Sequence, residues 1–223
     1  MEKNNKTLVV LSGGQDSVTC LAWAINKYGK ENIETLSFDY GQRHKIELEM
    51  AKKISELEGI KNTLLTINTF KEIGNSALLE EGDISKSHNN SEKLPASFVP
   101  GRNLIFLTFA SSFAFKKGIK NIVTGVCETD FSGYPDCRDQ TMKALEVAIN
   151  LGMDSKLNIE TPLMWLSKEE TIILMKDLGK IDWYRHSHTC YEGKRPACGV
   201  CPSCKLRLAG FEKAGIKDPI IYE

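Results

Sequence analysis

Thr7-Leu8-Val9-Val10-Leu11-Ser12-Gly13-Gly14-Gln15-Asp16-Ser17 is the stretch on which the fold turns. Residues 7–11 read as a buried strand. Ser17 to Tyr28 carries apolar side chains at Val18, Leu21, Ala22 and Ile25, a helical period, and Gly29 stops it. Between the two lies a glycine loop that opens straight into a helix. Such a loop offers unpaired backbone N–H groups and the positive end of the helix dipole, and glycine lets the backbone approach an anion closely. No Gly-Lys-Ser/Thr follows, so it is not a Walker loop, and the third glycine of the dinucleotide fingerprint is missing. Asp16 beside a polyphosphate makes sense if it holds Mg²⁺. The residues alone also allow a plain Gly-Gly turn with Asp16 or Ser17 as helix cap.

Outward from this loop the pattern repeats. Ile33 to Phe38 reads as a strand, Ile46 to Leu57 as a helix with Ile46, Met50, Ile54 and Leu57 on one face, and Asn62 to Ile67 as a third strand. This β-α-β-α-β order predicts a Rossmann-like parallel sheet with helices on both faces and right-handed crossovers. The pattern lapses from Lys71 to Pro100, a polar segment with Gly74, Gly82 and two prolines, read as a long surface excursion, a lid or a plain insertion. It resumes with a helix over 103–117, a strand over 121–125, a helix over 138–151, a strand ending at Ile159 and a helix over 168–178. Ser167 and Glu170 form a capping box for the last of these. The final forty residues are aromatic and cysteine-rich. We divide the chain into a domain at 1–183 and a C-terminal metal module at 184–223.

The chain has 223 residues, with 29 basic and 29 acidic side chains. Zero net charge argues against a protein that coats nucleic acid, and no stable nucleic-acid complex is expected. The longest apolar stretch, Leu104 to Phe115, is interrupted by Thr108, Ser111 and Ser112 and falls short of the roughly 20 residues of a bilayer span. No signal peptide is recognisable at the N-terminus. A cytoplasmic location is the expectation, and there the seven cysteines stay reduced.

Four of those cysteines, Cys190, Cys198, Cys201 and Cys204, follow a C-x7-C-x2-C-x2-C spacing. Four thiolates enclose one tetrahedral Zn²⁺ and leave no open position, so the expected zinc is structural. The run also resembles iron–sulfur ligation, which stays open as the alternative. The segment has too few apolar residues to fold alone, so metal would supply folding free energy.

Ligands of parallel sheets bind beyond the C-terminal strand ends. Three segments belong there: 39–43, 99–103 and 125–138. The third joins Phe131 and Tyr134, on which a planar heterocycle can stack, to Asp136 and Arg138. Asp136 also reads as an ordinary helix cap.

Ser12-Gly13-Gly14-Gln15-Asp16-Ser17 after an apolar strand resembles the PP-loop ATP pyrophosphatases. That resemblance implies ATP contacts along Leu11, Ser12, Gly13, Gly14, Gln15, Asp16, Ser17, Val18, Thr19, Cys20 and Leu21, with Mg²⁺ at Asp16. It also implies a phosphate-binding lysine at Lys168. Val99-Pro100-Gly101-Arg102-Asn103, Ser132-Gly133-Tyr134-Pro135-Asp136-Cys137-Arg138, Thr161-Pro162-Leu163 and the four cysteines follow in order. Together they are similar to the QueC family of the queuosine precursor pathway. This implies an ATP-dependent C–N ligase that turns 7-carboxy-7-deazaguanine and ammonia into 7-cyano-7-deazaguanine through an adenylated acid and an amide. Asp16, Lys168 and Arg102 would be catalytic, Phe131, Tyr134, Asp136 and Arg138 would bind substrate, and the chain would form a homodimer. The rivals are a PP-loop enzyme that thiolates tRNA or forms lysidine, an amide-forming ligase of the NAD or GMP synthetase type, and a non-catalytic zinc-module binding protein.

Overall fold

The computed structural model describes residues 5–42, 45–73, 76, 78–79, 87–88, 91–129 and 133–223. Five strands form one parallel sheet in the order β3-β2-β1-β6-β7: β1 (Thr7–Val10), β2 (Ile33–Asp39), β3 (Asn62–Thr66), β6 (Asn121–Val123) and β7 (Asn158–Glu160). Thr7 pairs with Ile33 on one side and Asn121 on the other, so β1 is the central strand. The chain builds outward from β1 through β2 to β3, then returns to add β6 and β7 on the opposite side. The order therefore reverses between β1 and β6, and ligands of such sheets bind where the strand ends splay apart at that point.

Alternate strand residues face opposite ways, and each face acquires its own helices. Leu8, Leu36 and Ile122 pack against α4 (Arg102–Lys117) and α5 (Asp139–Gly152) through Leu107, Ala110, Met142 and Ile149. Val9 and Val123 pack the other way, against α1 (Gln15–Tyr28), α2 (Ile46–Leu57) and α6 (Lys168–Asp177) through Val18, Leu21, Ile54, Ile172 and Met175. The capping box at the start of α6 forms: Ser167 Oγ accepts from the Glu170 N–H at 3.2 Å, and Glu170 accepts from the Ser167 N–H at 2.8 Å.

Two segments differ from the reading of the sequence. The 71–100 excursion is not only surface. It holds the end of α3 (Phe70–Ile73) and a hairpin of β4 (Ser87–His88) and β5 (Ser91–Pro95), and it buries Leu79, Phe98 and Val99. The C-terminal segment contains a helix that periodicity did not show, α7 (Pro202–Lys213). Its inward face is Cys204, Arg207, Gly210 and Phe211. An arginine in the middle of that face hides the apolar repeat. Arg207 is buried because Asp218 accepts from its Nε at 2.7 Å and from its Nη2 at 2.8 Å, while Ser187 and the Tyr184 carbonyl accept its other donors. Phe211 and Tyr184 join the same apolar cluster as α1 and α6, so α7 packs directly onto the sheet-bearing part of the chain. Gly210 permits this approach: a Cβ there would lie 2.8 Å from Lys168 Cβ.

Candidate active site

Beyond the C-terminal ends of β1 and β6 lies a cavity of about 590 Å³, within the usual range for a small-molecule site. Leu11, Ser12, Gly14, Gln15, Asp16 and Ser17 form its floor. The Ser12 and Gly13 N–H groups both donate to Ser17 Oγ, at 3.2 and 3.1 Å, which fixes the turn of the loop into α1. Gly14 is the N-cap of α1 and places no side chain over the helix end. Gly13 has φ +91°, and a Cβ on it would meet the Glu47 carbonyl oxygen at 2.0 Å. Only glycine fits between loop and α2. Opposite, the His188 N–H donates to the Gly13 carbonyl at 2.9 Å, tying the loop to the C-terminal segment. Gly125, at the exit of β6, lets that strand end press against α1: its Cβ would sit 3.0 Å from the Asp16 carbonyl carbon.

Lys168 opens α6 and reaches back to this floor, its Nζ 2.5 Å from Asp16 Oδ2. Asp16 Oδ1 is buried without a hydrogen-bond partner. A buried carboxylate oxygen left open in this way fits a hard divalent cation, so the residue suits the Mg²⁺ expected there.

The far wall is aromatic and cationic. Arg102, in the first turn of α4, lies 5.8 Å from the centres of the Tyr40 and Tyr134 rings and donates to Tyr40 Oη at 3.4 Å. Ser97 and Tyr134 share a hydrogen bond of 2.6 Å. Glu47, in the first turn of α2, stands between this wall and the loop, with Oε1 4.0 Å from the position a Gly14 Cβ would take. Desolvation raises its carboxyl pKa to about 7, although Arg102 pulls in the opposite direction. Tyr191 closes the wall beside Tyr134, Arg102 and Glu47, and burial pushes its phenol well up.

The expected site residues divide. Leu11 to Ser17, Lys168, Arg102 and Tyr134 meet in one place, although Gly13 acts through its backbone rather than as lining. Val18, Thr19, Cys20 and Leu21 are buried in the body of α1 and do not line the cavity. Asp136 is buried outside the lining, where its Oδ2 accepts from the Asn103 N–H at 2.9 Å and caps α4. Arg138 is exposed at the start of α5, also outside the lining. Phe131 lies outside the described residues. Sequence reasoning missed Glu47, Thr189 and Tyr191. Glu47 is one acid of several at the start of an amphipathic helix. Thr189 and Tyr191 flank a metal-ligand cysteine, and the motif absorbed them.

Cys190, Cys198, Cys201 and Cys204 are all buried, and their sulfurs lie within 4.8 Å of one another. Backbone N–H groups of Cys198, Cys201 and Cys204 donate to the sulfurs of Cys190, Cys198 and Cys201 at 3.4–3.5 Å. Cys201 is also the N-cap of α7, and hydrogen bonds from Cys204 pull its thiol far below the ordinary range. This is an arrangement for holding thiolates around a metal or a cluster. Residues 189–191 run from the cluster into the cavity wall, and Thr189 Oγ1 is buried there without a partner.

A family model described as queuosine biosynthesis protein QueC matches residues 6–215. The chain belongs to the QueC family. It is 52% identical over 219 residues to the 7-cyano-7-deazaguanine synthase of Chromobacterium violaceum, covering 98% of this chain and 94% of that protein. The synthase of Bacillus subtilis is 49% identical over 213 residues, 95% of each chain. Among solved structures, the U34-tRNA thiolase NcsA from Methanococcus maripaludis, with its 4Fe-4S cluster, superposes with a TM-score of 0.50 at 17% identity. That match takes in 94% of this chain and 65% of the thiolase chain, a likeness of fold. Among the described residues no helix is long and apolar enough to cross a membrane.

Proposed function

We propose that the chain converts 7-carboxy-7-deazaguanine, ammonia and two molecules of ATP into 7-cyano-7-deazaguanine, two AMP and two pyrophosphates. The observation that supports this reading is the joining of two unlike ends in one cavity. A phosphate-binding end is built from the 11–17 loop, the α1 N-terminus and Lys168, and an aromatic–guanidinium end from Tyr40, Arg102, Tyr134 and Tyr191. The first suits a triphosphate, and the second suits a planar heterocycle bearing a carboxylate.

In this reading the loop N–H groups and Lys168 hold the β- and γ-phosphates, and the acid's carboxylate oxygen attacks the α-phosphorus. Pyrophosphate leaves and an acyl adenylate forms. Ammonia replaces AMP at the acyl carbon and yields the amide. The amide oxygen then attacks a second ATP, and elimination of AMP leaves the nitrile. Carboxylate and amide oxygens are poor leaving groups and AMP is a good one. The protein's work is alignment and charge stabilisation at phosphorus. Mg²⁺ at Asp16 would neutralise phosphate charge.

Zn²⁺ is the metal we assign to the cysteine cluster. A tetrahedron with bonds of ~2.3 Å has edges of ~3.8 Å. The sulfurs of Cys198 and Cys204 are 3.9 Å apart. An iron–sulfur cube, whose own irons and sulfides stand between the thiolates, spreads them more widely.

The deciding experiment incubates the protein with ATP, Mg²⁺, ammonium and the acid, and follows the products by mass spectrometry. The expected product is the nitrile, with two pyrophosphates released for each. No nitrile and no acid-dependent pyrophosphate would overturn the reading. A tRNA-dependent release of pyrophosphate would favour a tRNA-modifying activity instead.

A further inference from the structure

We propose that Glu47 is the general base that removes protons from the substrate nitrogen during amide and nitrile formation. This assignment rests on the reaction proposed above. The proton balance of that reaction requires such a group. When ammonia attacks the acyl adenylate, the nitrogen arrives with three protons and the amide keeps two, so one proton leaves with AMP. When the amide oxygen takes AMP from the second ATP, the nitrogen carries both remaining protons and a positive charge. Elimination to the nitrile breaks the C–O bond, whose electron pair leaves with AMP, and both N–H bonds, of whose two electron pairs one becomes the third C–N bond and the other the nitrogen lone pair. Three protons therefore depart from one nitrogen, while the two adenylation steps release none.

Among the described residues, Asp16 and Glu47 are the carboxylates that line the cavity. Asp16 is committed to Lys168 through Oδ2. His188, also in the lining, turns its Nε2 to the Cys190 carbonyl at 3.1 Å. Asp136 is spent capping α4. Glu47 remains. It stands between the loop that would hold the phosphates and the wall that would hold the ring, which is where the carbon under attack has to sit. The groups facing it are Arg102 from α4, Tyr40 from the end of β2 and Tyr191 from the metal segment. Its carboxylate makes no hydrogen bond among the described residues, so its lone pairs are open to an incoming proton. Desolvation brings its pKa to about 7, where a carboxylate is basic enough to take a proton from nitrogen and still ionised near neutral pH.

The assay separates the partial reactions. Full-length Glu47→Gln and Glu47→Asp are compared with the wild-type chain in two measurements. The first is acid-dependent pyrophosphate release without ammonium, which reports the first adenylation. The second starts from the synthetic amide with ATP and Mg²⁺ and reads nitrile formation against pH. Glu47→Gln should lose ~10²–10⁴-fold in the second, a far larger loss than in the first. The wild-type rate should rise with pH through about 7, and Glu47→Gln should lack that limb. Glu47→Asp should retain the limb at a reduced rate, which keeps the test valid if the Gln variant folds poorly. A parallel fall of both reactions with a higher KM for the acid would make Glu47 a recognition residue and overturn the assignment. So would an unchanged nitrile rate in Glu47→Gln. A wild-type chain that forms no nitrile would instead sink the underlying reaction.

Discussion

Replacing Gly13 by alanine adds one methyl group at the point where loop, α2 and C-terminal segment meet. The new Cβ would lie 2.0 Å from the Glu47 carbonyl oxygen and 2.9 Å from the Ala51 nitrogen, whereas real Cβ contacts essentially never fall under 3.0 Å. The neighbour is helix backbone, so the loop must move by ~1 Å to reach even that limit. The φ of +91° adds a penalty of ~1–2 kcal/mol for a residue with a Cβ. A displacement of ~1 Å at a site that works by alignment costs about 10²-fold in rate, or ~2.7 kcal/mol of transition-state stabilisation. Pyrophosphate release at saturating ATP, measured alongside a thermal melt, gives both numbers. Gly152→Ala, at the end of α5 and away from the cavity, is the control, because a Cβ there would meet nothing within 4 Å. Gly13→Ala that stays within ~2-fold of wild type, against the ~10²-fold expected, would refute the claim that this loop grips the triphosphate.

Lys168→Met should lower turnover by ~10²–10³-fold and leave the α6 capping box intact, read from pyrophosphate release and circular dichroism. Cys201→Ser should reduce bound metal, lower Tm and weaken ATP-dependent turnover together, because Thr189 and Tyr191 reach the cavity from Cys190; full metal content by elemental analysis would contradict this. Asp136→Ala should cost ~1 kcal/mol of stability through the α4 cap and change KM for the acid little. Glu47→Gln should raise Tm at pH 8 but not below about pH 4. The folded carboxyl titrates at about 7 and the unfolded one near ~4.3, so the native state binds more protons between those values and wild-type stability falls as pH rises through that window. With the cavity open to water, the difference should be ~1–3 kcal/mol.

The gap between sequence and structure follows the range of the interactions. The β1–loop–α1 unit and the α6 capping box were legible because every group involved lies within a few residues. The cysteine spacing was legible because C-x2-C turns bring their own ligands together. The α7 helix was not, since Arg207 occupies its buried face and is tolerated there only because Asp218 and Ser187 satisfy it. The 71–100 segment looked wholly solvated by composition. Among its apolar residues, Leu79 and Val99 turn inward because α4 and the sheet stand behind them, and Phe98 is buried beside Tyr134.

From its sequence alone this protein is committed to a parallel sheet, a glycine loop at its central strand and a four-thiolate knot, because period, turn chemistry and ligand spacing are local properties of the chain. The tertiary structure alone decided which carboxylate does what. Asp136 caps a helix begun thirty-odd residues earlier, Asp16 meets Lys168 from the far end of the chain, and Glu47 is left facing the cavity. Each outcome depends on desolvation and on partners distant in sequence, and neither quantity exists until the chain has folded.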